Sequence, residues 1–292
     1  MAKIKEIRNR IKSVRATHKI TSTMEMVATG RMKRALNRML EARPFLRGFT
    51  EVMARLVSSG DLPDHPLLAE RADIRREAVV VLSSNRGLCG AFNTNLYRRC
   101  MEELRRIRSA GHPTEIHVLG KKVAGLLRFQ GEEVATAAPL PDRPVFADAV
   151  ALARALTARF AAAEEDRVDR VTLVCARYES ALRQPAVTLA VLPVRPAAPA
   201  GLARGAGDAA IYSPARAEIF ASLLPVYVES VLFQALLETT ASEQVARRNA
   251  MKNATENAED MIKTLTRNLN KVRQAQITRE LAEIVGGSQG LR

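Results

Sequence analysis

The stretch Ala241–Leu291 constrains the fold most. It contains no proline, and its first glycines are Gly286 and Gly287. From Met251 its seam steps through Thr255, Ala258, Ile262, Leu265, Leu269, Val272 and Gln276, alternating fours and threes. That is coiled-coil spacing, with charged and amide side chains on the other faces. After Gln276 the apolar positions shift to Ile277, Leu281, Ile284 and Val285, so the last turns present a different face. A helix cannot bury such a seam against itself, so this one requires a partner helix.

The other end of the chain supplies a matching seam. Ile4, Ile7, Ile11, Val14, His18, Thr21, Glu25, Ala28, Met32, Ala35, Met39 and Ala42 alternate threes and fours through residues 1–58. The middle of this seam is polar, and Ile20, Met24 and Val27 form an adjacent stripe. Pro44 should kink the helix or end one segment of it. The simplest assembly pairs the two helices as an antiparallel coiled coil.

Between them the texture changes. Ala78–Ser83 is a short apolar run, a buried parallel-type strand. Helix, strand (Thr114–Leu119), helix (Lys121–Phe129), a loop bounded by Pro139, Pro141 and Pro144, and a third helix (Val145–Ala163) follow. Strands at Arg170–Arg177 and Ala186–Val194 complete the set. The order predicts a Rossmann-like α/β domain with a largely parallel sheet, inserted between the helices. The fold class is therefore α/β, a long antiparallel coiled coil of the terminal helices with an inserted α/β domain. The expected divisions are 1–58, 75–208 and 214–292, with the first and last forming one stalk. Pro196–Asp208 reads as a loop, and Pro225 as a kink in the final helix.

Charge is unevenly spread. Of the formal net charge of +14, residues 1–50 carry 13 basic and 3 acidic side chains, and residues 241–292 carry 9 and 6. The 23 basic and 22 acidic residues between them nearly cancel. A basic helix could contact nucleic-acid phosphates, or it could pass inside an acidic protein collar. No aromatic residues interleave with its charges for base stacking. The three cysteines show no metal spacing, which fits reduced thiols. No apolar run approaches the roughly 20 residues of a membrane span. Ser84-Asn85-Arg86-Gly87-Leu88-Cys89-Gly90 stands between strand and helix, where phosphate loops occur, but it lacks the P-loop Lys-Ser/Thr and the G-x-G-x-x-G spacing. A tight structural turn is the preferred reading.

Four stretches carry a family resemblance. They are Ile4–Val14 with His18–Thr21 and Met24–Ala28, then Ser84–Gly90 with Asn93–Asn95, then Ala241–Ala258, and last Asn270–Thr278 with Glu280 and Glu283–Val285. Together they resemble the γ subunit of F-type ATP synthases, closely at both ends and in layout only over roughly residues 100–210. The resemblance implies a central-stalk rotor inside a ring of α and β subunits, with the α/β domain beside the ε subunit and the polar loops of the membrane c-ring. Ion flow would turn the stalk, and its asymmetry would drive the β sites through their nucleotide states. It implies no catalytic group, cofactor or metal on this chain, no nucleic-acid partner, and membrane contact only through the complex. The implied location is peripheral, on the cytoplasmic face of a bacterial plasma membrane. Arg273 and Gln274 would face β-subunit loops together with Met24 and Arg247. Ile277, Leu281, Ile284 and Val285, with Glu280 in the same motif, would occupy the collar's upper bearing. Asn85 stands where this family usually has aspartate, and Arg279 where glutamine is common.

Overall fold

The computed structural model describes residues 2–58, 65–71, 73–195 and 215–289, with side chains described over 4–56, 65–71, 73–195 and 215–282. Two compact units divide the chain: Met1–Thr29 with Arg247–Arg292, and Gly30–Ala246. Helix α1 (Ala2–Ser58) and helix α5 (Arg216–Gln289) each contribute to both.

In the first unit the two helices run antiparallel. Thr255 Oγ1 donates to Thr21 Oγ1 at 3.0 Å, while Arg273, Gln276 and Glu280 face Ile4, Lys5 and Arg8. The seam positions expected from spacing are the sheltered ones. Ile11, Thr21 and Ala28 on α1, with Met251 and Ala258 on α5, are buried. Ile7, Val14, His18, Glu25, Ile262, Leu265, Leu269, Val272 and Gln276 are half-buried, and most residues between them are exposed. The small side chains Ala28 and Ala258 allow close approach of the two backbones, so little apolar area is removed from water here.

The second unit holds the α/β domain. Strands β1 (Glu77–Leu82), β2 (Thr114–Leu119), β3 (Thr136–Ala138), β4 (Arg170–Ala176) and β5 (Ala186–Leu192) form one sheet in the order β3-β2-β1-β4-β5. All pairs are parallel except β4–β5. Central β1 is buried on both faces along its whole length, which is why it reads as an unbroken apolar run. Val80 and Leu82 point into a core with Leu173, Phe160 of α4 (Phe146–Phe160), and Phe220, Leu224, Val228, Leu232 and Leu236 of α5. Val79 and Val81 point the other way, onto Leu96, Cys100, Leu104 and Ile107 of α2 (Phe92–Ser109) and Val123 and Leu127 of α3 (Lys121–Phe129). Gly120, at the β2–α3 turn, has φ +116°, and a Cβ there would lie 2.1 Å from the Ser83 carbonyl oxygen. Only glycine fits that close approach.

Two buried carboxylates fasten the sheet's start. Asp169, with a side chain 1% exposed, meets Arg71 at 3.1 Å and Arg167 at 2.9 Å and accepts from the Arg75 backbone N–H. Burial would raise its pKa, yet these hydrogen bonds and charges hold it below the usual carboxylate value. Glu77 is fully buried between Arg106, His112 and Arg170.

Several expectations change. Pro44 does not end its helix, and both it and Pro225 lie inside continuous helices. Both lie on exposed faces, where a carbonyl that loses its helical partner can be hydrated. The loop before α4 begins with β3, whose three residues are all exposed and give no apolar signal. Helix α5 contains an 18-residue window of mean hydropathy 1.7, apolar enough by length and composition to cross a membrane. Its residues Phe220, Leu224, Val228, Leu232 and Leu236 are instead buried in the domain core. The predicted loop Pro196–Asp208 lies outside the described residues.

Candidate functional site

A doubly wound parallel sheet usually binds ligands at the carboxyl ends of its strands, where the strand order reverses. Here that point falls between β1 and β4. The end of β4 is already covered: fully buried Thr239 of α5 accepts a hydrogen bond from the Ala176 N–H (3.3 Å) through its Oγ1. At the end of β1 the Ser84–Gly90 turn spends its polar groups on itself, on Asn93 of α2, on the Lys122 N–H of α3 and on one neighbouring loop. Asn93 Oδ1 accepts from the Ser84 N–H at 3.2 Å, Ser84 Oγ donates to the Arg86 carbonyl at 2.6 Å, and Asn93 Nδ2 donates to Cys89 Sγ at 3.1 Å. Asn85 clasps Leu140 with both ends of its amide: Nδ2 donates to the Leu140 carbonyl at 2.7 Å and Oδ1 accepts its N–H at 3.0 Å. An ionised aspartate could make only the second bond, so asparagine gives this turn a clasp that a carboxylate cannot.

The buried thiols have matching chemistry. Burial, reinforced by Glu132 and Glu103, pushes Cys100 up to about 12, and burial with Glu238 does the same to Cys175. Thiols held neutral in this way are poor nucleophiles.

The first unit leaves more of its side chains exposed. Arg273, Ile277 and Glu280 line a groove of about 650 Å³ with Gln276 and, across from them, Ile4, Lys5, Arg8 and Asn9. Glu280 accepts from Gln276 Nε2 at 2.8 Å, which fixes its carboxylate along the helix. Gln274 does not line the groove. It is exposed and shares a helix face with Ile277 and Leu281, at steps of three and four. Ile277 is 45% and Leu281 58% exposed. The side chain of Ile284 lies outside the described residues. On α1, Met24 is 41% exposed within a bare apolar stripe with Ile20 and Val27, and Met26 is bare on another face. Arg247 is half-buried on α5. The expected residues thus fall on three surfaces: Arg273, Ile277 and Glu280 in the groove, Gln274 with Leu281 on a face that shares Ile277, and Met24 in the stripe. The groove's α1 wall, Ile4 to Asn9, was visible in sequence as part of a seam and of the first family-like stretch, not as a partner surface.

Comparison with known proteins decides the family. The family described as ATP synthase matches residues 3–291, nearly the whole chain. The ATP synthase gamma chain of Gemmatimonas aurantiaca is 43% identical over 294 residues, covering 100% of both chains. That of Frankia casuarinae is 41% identical, covering 99% of this chain and 97% of its own. The chain belongs to the ATP synthase gamma-chain family. Solved structures agree in fold. A rotor chain of the Euglena gracilis mitochondrial ATP synthase superposes with a TM-score of 0.65 at 18% identity, covering 94% of this chain and 99% of that one. A chain from the same enzyme's OSCP/F1/c-ring assembly gives 0.67 at 19% identity, covering 99% and 95%. The paired helices carry bare apolar and cationic side chains, and the α/β domain covers the carboxyl end of β4 with Thr239.

Proposed function

We propose that this chain is the central-stalk rotor subunit of a rotary ATP synthase. It couples ion flow through a membrane c-ring to the conformational cycle of the catalytic β subunits, in synthesis or hydrolysis. The observation that carries the reading is full-length likeness to ATP synthase gamma chains. The exposed helix faces give it a physical basis, because bare apolar and cationic side chains on a paired-helix shaft are suited to surrounding subunits. In this reading residues 1–58 and 214–292 form the stalk and 75–208 the α/β domain. The chain itself carries no catalytic group; chemistry belongs to the β subunits.

The partner surfaces are those that likeness to the gamma-chain family implies. Arg273 and Gln274, with Met24 and Arg247, meet β-subunit loops. Ile277, Glu280, Leu281 and Ile284 run in the bearing at the collar's end. The ε subunit and c-ring polar loops take the α/β domain, so membrane contact is peripheral and through the complex, on the cytoplasmic face. The test is the native mass and ATPase activity of this chain co-expressed with its host's α and β subunits. An assembly of three α, three β and one copy of this chain, with activity that depends on it, is the expected result. A stable α–β assembly that excludes this chain would overturn the reading.

A further inference from the structure

A second site lies within the Gly30–Ala246 unit. Arg31, Arg34 and Arg38 of α1, Arg143 of the loop after β3, and Thr240 and Gln244 of α5 surround a cavity of about 130 Å³. Arg31, Arg34 and Arg38 repeat at three- and four-residue steps, so one helix face stacks like charges, an arrangement unfavourable without a counter-charge. Among the described residues none of the four arginines has an ion pair. The carboxylate at the rim, Asp142, is engaged by Arg86 at 3.4 Å. Thr240 is 4% exposed, and its Oγ1 has no hydrogen-bond partner. Gln244 Oε1 is likewise buried and unpartnered. A buried hydroxyl without a partner is destabilising, so something is expected to bond to it.

We infer that this cavity is an oxyanion site that takes a single phosphate group. Guanidinium forks match phosphate oxygens two at a time, and the Thr240 hydroxyl can donate a further bond. The space equals that of about four waters, enough for one tetrahedral anion and too little for a nucleoside. The group is therefore free inorganic phosphate or the terminal phosphate of a larger molecule whose remainder stays outside. Arg31, Arg34 and Arg143 are exposed, so binding is weak and weakens further with salt. The Ser84–Gly90 turn also finds a purpose here. Asn85 holds Leu140, and Arg86 holds Asp142, so the turn fixes the loop that presents Arg143.

The test is calorimetric titration of the full-length chain with sodium phosphate at constant ionic strength, repeated with ADP, sodium chloride and hexaglutamate. One saturable phosphate site per chain is expected. Arg34→Gln with Arg38→Gln should weaken it roughly tenfold or more. Thr240→Val should weaken it roughly fivefold while leaving the melting temperature equal or higher, because the hydroxyl it removes has no partner in the free chain. That second variant keeps the test decisive should the double arginine variant fold poorly. ADP binding that responds to the same variants identifies a nucleotide's terminal phosphate as the source, and phosphate binding without ADP binding identifies the free ion. Chloride matching phosphate, variants binding like the parent, or hexaglutamate binding where phosphate does not would each overturn the inference, the last in favour of an acidic protein loop. The titration uses this chain alone and reads nothing of rotation, so it can fail while the rotor function stands.

Discussion

The α/β domain and the paired-helix unit spend their side chains in opposite ways. In the domain, β1 is buried end to end and two apolar clusters cover both faces of the sheet. In the paired-helix unit the buried seam residues are few and mostly small or polar, Ala28, Ala258 and Thr21 among them, while Ile20, Met26, Val27, Ile277 and Leu281 stand bare. The domain therefore stabilises itself. The helix pair holds its shape with a thin seam and leaves its larger apolar side chains for other proteins. A rotor needs that division, because a shaft that turns inside a collar must be readable at many angles while something firm transmits torque to it.

Substitutions can break or sharpen the contrast. Leu173→Ala, in the fully buried middle of the sheet, should cost about 4 kcal/mol, measured by denaturant unfolding of the domain signal. Asp169→Asn should cost about 2 kcal/mol at neutral pH, since it leaves Arg71 and Arg167 partly buried without their counter-charge. Its sign with pH is fixed: the folded carboxyl titrates below 3.8, so its stabilisation is present above that value and disappears as pH falls through the folded pKa. Parent and variant should thus converge in acid; a gap that widens there would contradict the assignment. Ala28→Leu should cost about 1–2 kcal/mol by overpacking the helix seam, read as lost helicity at lower temperature. Smallest of all, Arg273→Ala should change stability by under about 0.5 kcal/mol while lowering ATP-driven ion pumping of the assembled enzyme. Equal losses in stability and pumping would place Arg273 in the fold rather than at a partner surface.

The helix pair was almost fully legible in sequence because a seam of threes and fours is a local signal. Every position from Met251 to Gln276 that the spacing selected proved buried or half-buried. The strand bounds came through to within a residue or two for the same reason, apart from β3, whose Thr-Ala-Ala carries no apolar alternation. Long-range side-chain pairing was not legible. The clasp between Asn85 and Leu140 joins residues 55 apart, and the Thr239 hydroxyl that closes the end of β4 comes from 63 residues downstream of its donor. Likewise, only the fold brings the three arginines of α1 together with a fourth from the loop after β3. The exposed faces at Met24, Gln274 and Leu281 were named through the family resemblance; spacing alone showed only that they were off the seam.

The most direct test of the central claim is single-molecule observation of this chain in a complex fixed to a surface through its β subunits, with a bead attached to the chain's α/β domain. The account predicts stepwise rotation in one direction that requires ATP and stops when ATP is removed. ATP hydrolysis at full rate with the bead stationary would contradict it.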